Sequence, residues 1–156
     1  MTDQAPAGVF RLPVRVSWGD CDPAGIVYFP RFFEKFHEAM EQWFGAELSL
    51  PYDELINGRR LGLPSVHTEA DFRAPCHFGD ELVVELRVLS LGRSSVELGY
   101  RVLAASDAEA GPRLTGRTVC VLMDLDPQRP THRRALPWPA ELRARIEGFG
   151  VQPEGA

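Results

Sequence analysis

The sequence predicts an α+β domain with a mostly antiparallel sheet. Three observations predict it. One strand-like segment leads into a long helix with an aromatic face, four strand-like segments follow, and no helical segment separates those four. At 156 residues the chain fits a single domain with a proper core.

The elements follow in order. Residues 1–10 are polar, bear Ala, Pro and Gly, and are expected to be loose. Leu12, Val14, Val16 and Trp18 then alternate with Arg15 and Ser17, the pattern of a half-buried strand. A turn runs from Gly19 to Gly25. The helix is expected to start near residues 28–30, with Pro30 in the first turn, where a missing N–H is harmless. At about 100° per residue, Phe29, Phe32, Phe33, Phe36, Ala39, Met40, Trp43 and Phe44 fall in one arc of roughly 140°. Arg31, Glu34, Lys35, Glu38, Glu41 and Gln42 take the opposite side, His37 sits at the arc's edge, and Gly45 reads as the stop.

Residues 46–63 read as irregular or short helical structure. Strands are expected over 65–73, 81–89, 95–103 and 114–124. In the last, the run Val119–Met123 suggests a central strand covered on both faces. Leu91–Ser94 is a hairpin turn, 105–113 a longer loop, 127–136 a connector, and Pro139 starts a short helix carrying Leu142 and Ile146. There is no internal repeat. The boundaries are a loose segment 1–10, one domain 11–150 and a tail 151–156.

Composition excludes several classes. A net charge of −5 and a pI near 5.4 argue against a nucleic-acid partner. Lys35 is the sole lysine among 17 cationic side chains. Cys21, Cys76 and Cys120 are odd in number and widely spaced, which suits a reducing compartment and neither a disulfide framework nor a zinc site. His67, His77 and His132 are scattered, so no metal or other cofactor is expected. The N-terminal residues do not read as a signal peptide. No run approaches the roughly 20 apolar residues of a bilayer span. The expectation is a cytoplasmic protein with no membrane insertion.

The stretch that organises the chain is RVSWGDCDPAGIVYFPRFFEKF, Arg15–Phe36. It places a carboxylate beside the start of a buried helix, where free N–H groups and a partial positive charge suit a developing oxyanion. Arg15-Val16, Cys21-Asp22, Gly25-Ile26-Val27, Phe29 and Phe32, at their fixed spacing, resemble the signature of the 4-hydroxybenzoyl-CoA thioesterase family, a branch of the hotdog-fold thioesterases. The motif covers the first part of the chain, and the order of later elements is compatible with it.

That resemblance implies a hotdog fold, a five-stranded sheet wrapped around one long helix. It implies hydrolysis of an aromatic (hydroxybenzoyl-like) or short acyl-CoA. It also implies a homo-oligomer, a dimer paired edge to edge and a dimer of dimers, with sites at the interface. Asp22 aligns with the family's catalytic Asp, as nucleophile or as general base. The backbone N–H at Phe29 matches the one that polarises the thioester carbonyl, and Gly25 and Tyr28 complete the candidate backbone positions.

Each residue also has a plainer reading. Asp before Pro is a common Asx-turn. Asp20, two residues earlier, reads as a cap or brace. Gly25 suits a left-handed backbone position, and the Tyr28 and Phe29 rings read as core. Phe33 and His37 are the candidate acyl contacts. The family's founding type has an acid where His37 stands, so this departure leaves the acyl group open, and His37 reads equally as a flanking polar residue. Arg93, in the hairpin, suits a CoA phosphate or is a solvated turn arginine; Arg59, Arg60 and Arg117 are weaker candidates. Two other functions stand beside thioester hydrolysis. One is an acyl-carrier-protein-directed hotdog enzyme or a hydratase, although this loop offers no His for an acid/base pair. The other is a non-catalytic acyl-CoA sensing module.

Overall fold

A computed structural model describes residues 5–154. The first four residues of the expected loose segment and the last two of the tail lie outside them. Strands β1 (Phe10–Arg15), β4 (Glu81–Leu91), β5 (Ser95–Ala104), β6 (Leu114–Val121) and β3 (Ser65–Phe72) form one five-stranded sheet in that spatial order. Every neighbouring pair is antiparallel. Helix α1 (Pro30–Glu47) packs on one face, and α2 (Ala140–Phe149) follows the last strand.

The core lies between α1 and the inner face of the sheet. From β4 come Leu82, Val84, Leu86 and Val88, and from β5 Val96, Leu98, Tyr100 and Val102, all buried. They meet Phe32, Phe36, Ala39, Met40, Trp43 and Phe44 of α1. Phe36 stacks on Tyr100 at 4.4 Å and 10°. It also lies over Gly116 of β6, where a Cβ would strike its ring. Leu142 and Ile146 of α2 are buried as the sequence predicts.

Several expectations are corrected. Trp18 does not continue the buried face. The strand ends at Arg15, a 3-10 turn spans Trp18–Asp20, and Trp18 is 80% exposed. Phe29 leaves the buried arc at the helix start and is 56% exposed. Lys35 does not sit on the solvent side with its charged neighbours; it is buried. Gly45 does not stop the helix. A mid-helix glycine costs about 1 kcal/mol, and burial of Trp43, Phe44 and Leu48 overrides it. The chain turns at Ser49, whose φ is 53°. The run Val119–Met123 is not one central strand. β6 ends at Val121 beside the edge strand, and Met123–Asp124 (β7) leaves to pair with Leu61–Gly62 (β2) in a small second sheet. The fully buried Asp124 organises that corner, accepting hydrogen bonds from Thr131 Oγ1, the Asp126 N–H and Arg129.

Where the sequence suggests loose ends, the described residues make contacts. Val9 is buried. Beyond Leu86, where β1 runs out, the Gln152 N–H donates to Val88 O on the vacated edge of β4, and the Gln152 side chain donates to Ala7 O.

Edge strand β3 is exposed along its length except at half-buried Ala70. Its alternation therefore does not sort into buried and solvated faces; Val66 and Phe72 stand 64% and 50% exposed. The outer face of the sheet is laced by ion pairs. Glu85, buried, accepts from Arg11 (3.3 Å), Arg87 (3.1 Å) and Arg101 (3.4 Å). Arg117 lies 2.9 Å from Glu97, 3.2 Å from Glu69 and 3.1 Å from Glu154.

Candidate active site

The loop between β1 and α1 is built in two layers. Asp20 forms the first. Its Oδ2 accepts from the Ser17 N–H (2.9 Å), Ser17 Oγ (3.0 Å) and Lys35 Nζ (3.1 Å), and its carbonyl accepts from the Tyr28 N–H (2.9 Å). Burial pushes the Asp20 carboxyl up, but the Ser17 and Lys35 hydrogen bonds outweigh it and hold the group below the usual carboxylate range. The structure thus bears out the reading of Asp20 as brace.

Asp22 sits in the second layer. Its N–H donates to Ile26 O (2.9 Å), its carbonyl accepts from the Gly25 N–H (2.9 Å), and its Oδ1 accepts from the Ala24 N–H (2.8 Å). The Asx-turn is therefore real. Yet it uses one carboxylate oxygen; among the described residues Oδ2 has no hydrogen-bond partner. The plain reading and the catalytic one are compatible, since one oxygen holds the loop and the other is available. Gly25 takes φ 81°, the left-handed position predicted for it. The far side of the loop rests on residues 73–80: the Val27 N–H donates to Cys76 O (2.8 Å), Ile26 bridges His77, and Arg113 braces Pro75 O (2.8 Å).

The three backbone positions are not equivalent. The Gly25 and Tyr28 N–H groups are spent on Asp22 O and Asp20 O. Pro30 has none to give. Phe29, the residue that caps α1, is left with an N–H that meets no acceptor among the described residues. The helix dipole adds partial positive charge at the same point. The Tyr28, Phe29 and Phe72 rings cluster around it, at 5.5 Å for Tyr28–Phe29 and 6.3 Å for Phe29–Phe72, all three exposed beside the unpaired edge of β3.

Phe33 and His37 come together farther along α1, lining a cavity of about 100 Å³ between the helix and strands β3, β5 and β6. Phe36, Thr68, Tyr100 and Thr118 also line it. His37 is at the rim, half exposed, with Nε2 3.1 Å from Glu41 and its ring edge-on to Tyr52 at 5.8 Å. Burial raises Tyr100 well above its usual range, so it stands as a neutral hydroxyl. Arg93 lies apart, in the β4–β5 hairpin; its carbonyl accepts from the Trp138 N–H, and no described side chain pairs with its guanidinium. A larger hollow of about 480 Å³ lies on the outer face among Arg87, Arg101 and Arg117, away from the Asp22 loop.

Sequence reasoning missed two things here. Lys35 is one, although a sole lysine next to Phe36 in an arginine chain was a signal. The other is the hydroxyl lining of the cavity by Thr68, Tyr100 and Thr118, which comes from three strands and has no signature along the chain. Among the described residues no three His, Cys, Asp or Glu side chains group as metal ligands, and no helix is long and apolar enough to cross a membrane.

A family model for the thioesterase-like superfamily matches residues 16–146, which takes in the Asp22 loop, α1 and the whole sheet apart from β1. The chain belongs to the thioesterase-like superfamily. Its chemistry is thioester hydrolysis, and its wrapped sheet is the hotdog fold of these thioesterases. The 1,4-dihydroxy-2-naphthoyl-CoA hydrolase of Synechocystis sp. is 33% identical over 131 residues, covering 84% of this chain and 92% of that one. The enzyme of the same name from Acaryochloris marina is 30% identical over 134 residues, 85% and 91% of the two chains. Among solved structures, a 1,4-dihydroxy-2-naphthoyl-CoA thioesterase from Synechocystis superposes with a TM-score of 0.76 at 31% identity, covering 89% of this chain and 96% of that one. A 4-hydroxybenzoyl-CoA thioesterase mutant bound to 4-hydroxybenzoyl-CoA shares the fold with a TM-score of 0.79 at 23% identity, covering 90% and 99%.

Proposed function

We propose that this thioesterase cleaves an aromatic acyl-CoA to the free acid and CoA, a hydroxylated aryl group of the hydroxybenzoyl or dihydroxynaphthoyl kind being the best fit. One observation carries the reading: the loop that presents an unengaged Asp22 oxygen runs directly into the free N–H of Phe29. A thioester carbonyl oxygen hydrogen-bonded to that N–H becomes more electrophilic, and the tetrahedral oxyanion is stabilised at the helix start. Asp22 acts as nucleophile, giving a mixed anhydride and the CoA thiolate, or as general base for water.

The acyl group is bounded by space. About 100 Å³ accepts one aromatic ring, and the hydroxyls of Thr68, Tyr100 and Thr118 offer hydrogen bonds to a ring substituent. His37 at the rim is the residue placed to discriminate further. The exposed Tyr28, Phe29 and Phe72 rings suit the part of an aryl-thioester that remains outside. Arg93, unpaired, suits a CoA phosphate.

The open edge of β3 supports a homodimer in which two β3 strands pair to continue the sheet and cover the aromatic patch, with a dimer of dimers beyond it. Light scattering at micromolar concentration should give at least twice 17.4 kDa; a monomer refutes the arrangement. Three unpaired cysteines fit a reducing compartment, the cytoplasm.

The test is thiol release across benzoyl-, 3- and 4-hydroxybenzoyl-, dihydroxynaphthoyl-, phenylacetyl- and aliphatic CoA thioesters. A hydroxyaryl preference is expected. Asp22→Asn should lower kcat about 10³-fold or more with the fold intact, since the amide keeps the Ala24 turn but is a poor base and nucleophile. Wild-type turnover in that variant refutes the role of Asp22. Saturable binding without hydrolysis across the panel refutes the catalytic reading as a whole.

A further inference from the structure

We infer that Lys35 is a positioning residue: its ion pair with Asp20 locks the Asp22 loop onto α1, setting the Asp22 carboxylate against the free Phe29 N–H. This inference rests on the proposed roles of Asp22 and Phe29.

The pair is one of the two most enclosed ion pairs among the described residues, and the one that touches the Asp22 loop. Lys35 and Asp20 keep 11% and 16% of their side-chain surface; among the described residues Arg87–Glu85, at 24% and 3%, is as enclosed, and each other pair has a partner that is a quarter exposed or more. A lysine suits this site. Asp20 Oδ2 already accepts two donors from Ser17, and a compact ammonium adds a third at 3.1 Å where a planar guanidinium would need more room. Asp20 thereby touches three things at once: the loop's entry through Ser17, its exit through the Tyr28 N–H, and the body of α1 through Lys35. Asp22 and Gly25 lie between entry and exit. The loop's other support is the Cys76–His77 segment. Among the described residues Lys35 is the one side chain of the helix body that hydrogen-bonds to the Asp20 carboxylate.

The consequence is kinetic. Asp22 is carried by the loop and the Phe29 N–H by the helix, so their separation is set by what fastens loop to helix. A displacement of about 1 Å between reacting groups can cost on the order of 10²-fold in rate.

The test uses the full chain. Lys35→Met should lower kcat by about 10- to 100-fold with KM changed less than about threefold, and Lys35→Arg should recover part of the loss. Asp20→Asn strands a buried ammonium and should be the less stable variant, so Lys35→Met keeps the inference testable if Asp20→Asn fails to fold. The double variant should be no slower than the slower single one, because the two side chains act as a unit. Hydrogen exchange gives a readout independent of turnover: amides of residues 17–28 should lose protection in Lys35→Met while those of β4 and β5 keep theirs. Unchanged kcat in Lys35→Met overturns the inference while leaving the thioesterase reading intact. Multiplying losses in the double variant, or an even loss of protection throughout the chain, overturns it as well. If the wild-type chain turned over no acyl-CoA, the functional reading would fail, and local loss or retention of protection at 17–28 would still decide the tether.

Discussion

Gly116→Ala probes how closely the helix is seated on the sheet. Gly116 faces inward on β6, paired with Tyr100 of β5. A Cβ built on it falls 2.6 Å from Phe36 Cζ and closer still to Cε2. Carbon atoms prefer about 3.5–4 Å, so the ring must retreat by about 1 Å. Retreat is obstructed, because Phe36 is stacked on Tyr100 at 4.4 Å, edge-packed by Phe33 at 5.9 Å, and only 2% exposed. Overpacking of this kind costs about 1–3 kcal/mol. Restricting the unfolded chain returns about 0.4–1 kcal/mol, since the Gly116 backbone is not left-handed. The net is about 1–2 kcal/mol, or a Tm lower by about 2–8 °C at this chain length. A thermal melt followed by circular dichroism measures it. Because Phe36 also lines the cavity, KM for an aryl-CoA should rise in the same variant. Adding Phe36→Leu should restore part of the Tm, since the obstructing ring is gone. An unchanged or higher Tm in Gly116→Ala would refute the packing argument.

Other outcomes are as definite. Gly25→Ala meets open space but must hold φ 81°, at a cost of about 1–2 kcal/mol; kcat should fall further than the Tm shift implies, because the Gly25 N–H closes the turn on Asp22, and normal turnover would contradict that. Asp20 and Asp124 are both held below the usual carboxylate range, Asp124 first by its Thr131 hydrogen bond. Their folded values lie below the unfolded ones near 4, so the stability they lend is present above about pH 5 and lost as the pH falls through the folded values. Urea unfolding between pH 7 and 3 should show that loss, with a shallower acid limb in Asp124→Asn; an identical limb counts against the account. Burial pushes the Cys76 thiol to about 11 and raises Cys120. A thiol reagent at pH 8 should therefore modify Cys21 first and the other two only on unfolding, and three equally fast thiols would disprove that packing.

The parts legible in the sequence were those governed by local periodicity. Leu82 to Val88 and Val96 to Val102 alternate because each strand has one face on the helix, and the aromatic arc of α1 follows from the same rule at helical spacing. The Asp22 loop was legible as a pattern of turn residues and as a family motif. What escaped was set by position in the sheet and by distant partners. β3 alternates like its neighbours, yet at the edge only Ala70 is even half-buried. Trp18 continues the rhythm of β1 but follows the point where the capping of Asp20 by Ser17 bends the chain. Lys35 sits among charged residues in sequence, and its partner lies fifteen residues away. The choice of Phe29 over Gly25 and Tyr28 as free donor depends on where two other N–H groups are spent, which spacing does not reveal.

The ion pairs on the outer face bear on how this sheet can change over generations. Glu85 serves arginines from β1, β4 and β5, and Arg117 serves glutamates from β3, β5 and the C-terminal segment. Replacing Glu85 removes an acceptor shared by three arginines at once, while replacing any one of those arginines leaves Glu85 two partners. Substitutions on this face are therefore unequal: the satellites can drift one at a time, whereas the hubs can be exchanged only after their neighbours have been neutralised. Lineages descending from this sequence should show the arginines varying first and Glu85 last, an order of replacement written into the charge layout.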